Sequence, residues 1–152
     1  MYKKITNGVT IGFVLLGLST CLGAAEVGNE ALIEKVKYNY RLIGTMNNPP
    51  KEVQLAAVHK NYRAIQYINN PDKEVQLAAV NQNYHAISYI KNPDKEAQLS
   101  AVNQNFYSIQ NIENPDKETQ LSAVKQSHYA IRYIKNPDTE VLKLAQIKML
   151  EK

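Results

Sequence analysis

The sequence predicts an all-α fold, an α-solenoid of stacked 22-residue helix-turn-helix repeats. Three observations carry that reading. An Asn-Pro pair returns at Asn48-Pro49, Asn70-Pro71, Asn92-Pro93, Asn114-Pro115 and Asn136-Pro137, a constant step of 22 residues. Self-similarity at a fixed short period is the signature of units that stack on one another. Between the prolines the apolar residues follow helical spacing, and the alternation of strands is missing. Length and composition agree with one folded domain, at 152 residues, 44% hydrophobic and 21% charged.

The first element, 1–25, reads as a secretory signal peptide. Lys3 and Lys4 precede the apolar run "VTIGFVLLGL" (Val9 to Leu18), and small residues follow. Gly23 and Ala25 place the cut after Ala25. The apolar run is short for a membrane span of about 20 residues, which leaves an uncleaved anchor as the alternative. A second alternative lies in "LSTC" (Leu18 to Cys21), which looks like a lipobox with Cys21 as the lipidated residue, although Thr20 departs from the usual small residue. The expected location is therefore secreted or periplasmic, with a membrane-anchored lipoprotein as the alternative. Membrane contact is expected only if Cys21 is lipidated or the signal stays uncleaved. Cys21 is the single cysteine, so cleavage after Ala25 leaves no thiol and no disulfide chemistry. Cleavage also removes Lys3 and Lys4 and no acid, taking the net charge from +4 to +2. That is a weak case for nucleic acid, which is usually met by a strongly basic stripe.

The second element, 26–48, reads as a degenerate N-terminal capping repeat. Glu30, Val36, Asn39, Tyr40, Arg41 and Ile43 fall 22 residues before Glu52, Val58, Asn61, Tyr62, Arg63 and Ile65.

Four full repeats follow over 49–136. With each proline as position 1, glutamate holds position 4, leucine position 7, alanine position 9, valine position 10, and isoleucine positions 17 and 20. Asparagine before the proline is expected to cap the first helix, with proline at its first helical position. Acids in the first turn favour the helix dipole. "EVQLAAVNQ" continues the helix, and the leucine at position 7 is expected between stacked helices. Asparagine at position 13 suits a left-handed turn at the helix end. "YHAISYI" (Tyr84 to Ile90) reads as a second short helix with alanine and both isoleucines inward. Neither helix is long enough to stand alone, since isolated helices below about 12–15 residues are marginal in water.

The last element, 137–152, reads as a C-terminal capping helix. Lys143 stands where leucine is expected, and Leu144 and Ile147 are expected to restore the apolar face one residue later. Worn end units suit a solenoid, whose exposed ends need covers. Leucine-rich repeats share the period but need an L-x-x-L-x-L strand motif that is missing here.

The stretch "NPDKEVQLAAVNQNYHAISYI" (Asn70 to Ile90) resembles the short helical repeats of bacterial and viral proteins grouped as DUF4116-like, with a motif close to E-V-x-L-A-A-V-x-Q-N. It is also similar to HEAT-type and variant leucine-rich α-solenoids. The match runs from Glu52 to Ile134. The resemblance implies the architecture and no activity. Because HEAT-type solenoids are commonly protein-binding scaffolds, it also implies a protein or peptide partner.

In a solenoid, constant positions build the stack and variable ones meet the ligand. Position 15 is Arg63, His85, Tyr107 and Tyr129, and position 19 is Tyr67, Tyr89, Asn111 and Tyr133. On an α-helix these positions share a face. The candidate binding residues are therefore Arg63, Tyr67, His85, Tyr89, Tyr107, Tyr129 and Tyr133, types enriched at binding hot spots. The same tyrosines over inter-repeat seams would be packing with wet hydroxyls. Glutamine at position 6 reads as amides bonding from repeat to repeat. No catalytic residue, metal site or cofactor is expected. The three histidines occupy positions 11, 15 and 14, and the acids have helix-start roles. The expected function is an exported scaffold binding a protein or peptide. The alternatives are a cell-wall or glycan binder and a self-assembling structural protein, and the oligomeric state is left open.

Overall fold

The computed structural model describes residues 22–151. The apolar run and Cys21 lie outside the described residues, and the cut expected after Ala25 falls inside the first helix. Six α-helices alternate with five short 3-10 helices among the described residues: α1 (Leu22–Tyr38), η1 (Tyr40–Thr45), α2 (Lys51–Lys60), η2 (Tyr62–Tyr67), α3 (Lys73–Gln82), η3 (Tyr84–Tyr89), α4 (Lys95–Gln104), η4 (Phe106–Asn111), α5 (Lys117–Gln126), η5 (His128–Tyr133) and α6 (Thr139–Leu150). No strand occurs among them. Each α-helix packs on the α-helix before and after it, and each 3-10 helix does the same in a second layer. No unit reaches past its neighbour, the one-dimensional arrangement of a solenoid. The fold is the expected all-α repeat stack.

The helix starts differ from expectation. The helices α2 to α6 begin at position 3, and in α3, α5 and α6 the aspartate at position 2 caps with its side chain, whereas Pro50 of α2 and Asp94 of α4 make no side-chain cap bond. Asp72 Oδ1 accepts from the Glu74 and Val75 N–H groups, Asp116 from Thr119 and Asp138 from Glu140. The asparagine before the proline therefore lies outside the helix, and at Asn48 and Asn70 it takes the left-handed conformation (φ 50° and 48°). That turn had been expected at position 13. Asn61, Asn83 and Asn105 are instead extended, with φ near −160°. Each closes one helix and caps the next. Its own N–H donates to the alanine carbonyl at position 9, while its Oδ1 accepts from the N–H at position 15.

The core runs along the seam between the layers. Valine at position 10, alanine at position 9 and isoleucine at positions 17 and 20 are buried, with Ile87 at 0% exposure and Ile131 the half-buried exception. A further buried position is 5, held by Val53, Val75, Ala97, Thr119 and Val141. The leucines at position 7 (Leu55, Leu77, Leu99, Leu121) are only half-buried, which corrects their expected core placement. In α6 the register is kept and not shifted. Val141 and Ala145 hold positions 5 and 9 in the core, Leu144 is half-buried, and Ile147 is exposed.

Amides tie the units together. Gln54, Gln76, Gln98 and Gln120 donate Nε2 to the proline carbonyls of their own units at 2.8–2.9 Å. Gln76 and Gln120 also accept from the Asp94 and Asp138 N–H groups of the next unit, at 2.8 and 3.0 Å. Gln82, Gln104 and Gln126 donate back to carbonyls of the preceding unit at 2.7–2.8 Å. On the surface, Lys51, Lys95 and Lys117 pair with Glu74, Glu118 and Glu140 one unit on. Those hydrogen bonds raise the three lysine pKa values above the ordinary range. The pairs are exposed, so each contributes little to stability.

Candidate binding face on the 3-10 layer

Every candidate residue lies in a 3-10 helix and is exposed: Arg63 and Tyr67 in η2, His85 and Tyr89 in η3, Tyr107 in η4, Tyr129 and Tyr133 in η5. A 3-10 helix has 3.0 residues per turn, so residues three apart eclipse and residues four apart do not. Positions 15 and 18 are the aligned pair within a unit. Gln66 Nε2 and Ser88 Oγ reach back to the Arg63 and His85 carbonyls at 3.0 and 2.8 Å, and Arg132 lies 5.2 Å over the Tyr129 ring.

Positions 15 and 19 meet across units. Tyr107 and the following unit's Tyr133 make an edge contact with ring centroids 5.4 Å apart. The Arg63 guanidinium lies beside the Tyr89 side chain of the following unit, which raises its pKa. Tyr67 lies toward Arg41 and Tyr40 of the capping unit, its ring 6.5 Å from that of Tyr40. Gly44 permits this approach, since a Cβ there would stand 3.1 Å from Tyr67 Cβ. At η4 the diagonal lacks a ring, because Asn111 stands at position 19.

Position 14 supports the array and was not singled out from sequence. Tyr40, Tyr62, Tyr84 and Phe106 are half-buried against the core. Each carries the next residue on its ring: Arg41 at 5.9 Å, Arg63 at 5.3 Å, His85 at 4.2 Å and Tyr107 at 4.2 Å. His128 and Tyr129 repeat the pairing at 4.1 Å. The signal was available, as an aromatic ring recurs at position 14 every 22 residues from Tyr40 to His128. The asparagine at position 13 sets the backbone of the same pair through its bond to the position 15 N–H, at 2.9–3.1 Å. Local capping thus aims the surface residue.

Polar grooves run beside the array. One of about 400 Å³ is lined by Gly44, Tyr67, Asn47, Asn48, Asn69 and Asn70 among others. Its equivalent one unit on, of about 370 Å³, has Tyr89 and Gln66 over Asn69, Asn70, Lys91 and Asn92. The α layer carries a second periodic feature, grooves floored by Leu55 and Leu99 with His59 and Asn103 at their rims. Leu55 and Leu99, two of the half-buried leucines, belong there.

Among the described residues no group of three or more His, Cys, Asp or Glu side chains could hold a metal ion. His59 lies on α2, away from His85 and His128 in the 3-10 layer. No helix among the described residues is long and apolar enough to cross a membrane. No family model, no curated protein and no solved structure matches the chain.

Proposed function

We propose that the chain is an exported helical-repeat scaffold that binds a protein or peptide along its 3-10 layer and performs no catalysis. The observation that carries this is the diagonal contact from position 15 of one unit to position 19 of the next. It pairs exposed tyrosines and arginines of adjacent units, Arg63 with Tyr89 and Tyr107 with Tyr133, with the series interrupted at Asn111. Tyrosine and arginine are the residues most enriched where alanine substitution costs binding. Tyrosine also supplies contact area with few rotatable bonds to order. The repeat motif supports kinship with the DUF4116-like solenoids, and the segment 1–25 supports export, with Glu26 as the first residue of the secreted chain. A second reading, binding of a cell-wall or other glycan, draws on the grooves where Tyr67 and Tyr89 stand over asparagine amides.

Selection of a displayed random-peptide library on the chain tests the first reading, with insoluble cell-wall material as the competing ligand. Peptides are expected to be enriched. They should lose roughly ten-fold or more in affinity for the triple variant Tyr67→Ala, Tyr89→Ala, Tyr133→Ala, the loss typical of removing hot-spot side chains. Equal binding to the variant sinks the proposed face. Retention on cell-wall material without peptide enrichment replaces the peptide reading with the glycan one.

A further inference from the structure

We infer that the segment docked on the 3-10 layer is acidic: an extended peptide stretch whose Asp or Glu carboxylates engage the arginines while its backbone lies along the tyrosines. This rests on the reading of that face as peptide-binding. The charges of the chain are sorted between the two layers. All three arginines, Arg41, Arg63 and Arg132, lie in the 3-10 helices η1, η2 and η5. No lysine, aspartate or glutamate lies in any of the five 3-10 helices, where His85 and His128 are the other basic groups. The flanking position 21 adds Lys91 and Lys135 against one acid, Glu113.

The two kinds of cation are also used differently. Lysines of the α layer pair with glutamates and aspartates of the next unit. Among the described residues no arginine is paired with a carboxylate. Each guanidinium lies instead over a ring, at 5.2–5.9 Å from the centroid. Stacking holds the planar group by its face and leaves N–H groups at its edge, the geometry that takes a carboxylate through two parallel bonds. These exposed edges are open to carboxylates of a partner. An extended backbone fits the spacing, since helices stacked about 8–10 Å apart correspond to roughly three residues at about 3.3 Å each. A phosphate backbone fits less well, because η3 and η4 carry no arginine or lysine and the cations form no continuous stripe.

Fluorescence anisotropy tests this with three labelled 15-residue peptides that differ only in every third residue, Glu, Gln or Lys, and with a single-stranded oligo-dT as a fourth probe. The glutamate peptide should bind tightest, by roughly ten-fold over the glutamine one. The margin should shrink as salt rises from about 50 to about 500 mM. It should vanish in the variant Arg41→Gln, Arg63→Gln, Arg132→Gln, with far-UV circular dichroism unchanged. If that variant misfolds, Arg63→Gln and Arg132→Gln singly should each narrow the margin. Equal binding of the glutamate and glutamine peptides, or a margin that survives loss of the arginines, overturns the inference and leaves peptide binding standing. A tighter oligo-dT complex overturns it in favour of nucleic acid. No binding by any peptide removes the underlying reading as well.

Discussion

Ile87 and Leu77 belong to the same unit and are both apolar at constant repeat positions, yet only Ile87 is fully buried. Removing the Ile87 side chain beyond Cβ loses its transfer energy and leaves a cavity, so Ile87→Ala should cost about 2–5 kcal/mol. Leu77→Ala should cost roughly 1 kcal/mol, because part of the leucine already meets water and its neighbours can close in. Urea unfolding of the two variants measures the difference as a shift in midpoint at constant slope. Thr119 gives an expectation of the opposite sign. It is fully buried at a position held by valine in Val53, Val75 and Val141, and its hydroxyl finds no hydrogen-bond partner. Thr119→Val should stabilise by about 1 kcal/mol, since an unpaired buried hydroxyl carries an uncompensated desolvation cost. A loss in the same urea assay would mean that the hydroxyl has a partner after all. These residues also show what the sequence could reveal. The alanine, valine and isoleucine stripe was legible because identity repeats. Position 5 was not, because Val, Val, Ala, Thr and Val look like a variable site. Leucine misled because it is both constant and apolar, while at position 7 it is only half-buried.

At the scale of the element, the start of each α-helix was legible to within two residues, but the identity of its cap was not. Asn70 and Asp72 are both good capping types, and only the backbone decides between them. Asn70 is left-handed and outside the helix, while Asp72 accepts from two otherwise free N–H groups at 3.1 Å. Asp72→Ala should therefore cost about 1 kcal/mol, seen as a lower melting temperature with unchanged far-UV circular dichroism. A neutral outcome would return the capping role to Asn70. The second helix of each unit was legible as a helix, though not as a 3-10 helix, since six residues give too few turns to tell a period of 3.0 from 3.6. That difference moved the candidate site. An α-helix would have aligned positions 15 and 19 within a unit, whereas the 3-10 helices join them across units. The candidate residues are exposed in the 3-10 helices, and their pairing is across units and not within one.

The described residues form a stack in which each unit touches only its neighbours, so the shape of that stack follows from repetition. With units about 8–10 Å apart, small-angle scattering should give a particle on the order of 50 Å long, longer than a sphere of its mass. A profile fitted by a compact sphere would end the solenoid account. The period and the stacking of helical units were legible at this scale because repetition multiplies a weak signal. The charge sorting between the layers was not, because it emerges only once the 3-10 segments are known. Function in this account depends on the core and the tyrosine face being separable. Thermal unfolding of Ile87→Ala beside the triple Tyr67→Ala, Tyr89→Ala, Tyr133→Ala variant tests that directly. The account predicts a drop of several degrees for the single isoleucine change, on the order of 4–8 °C per kcal/mol in small domains, and a smaller drop for the three exposed tyrosines together. A tyrosine variant that unfolds while Ile87→Ala melts like the parent would put the tyrosines in the core and leave no binding face.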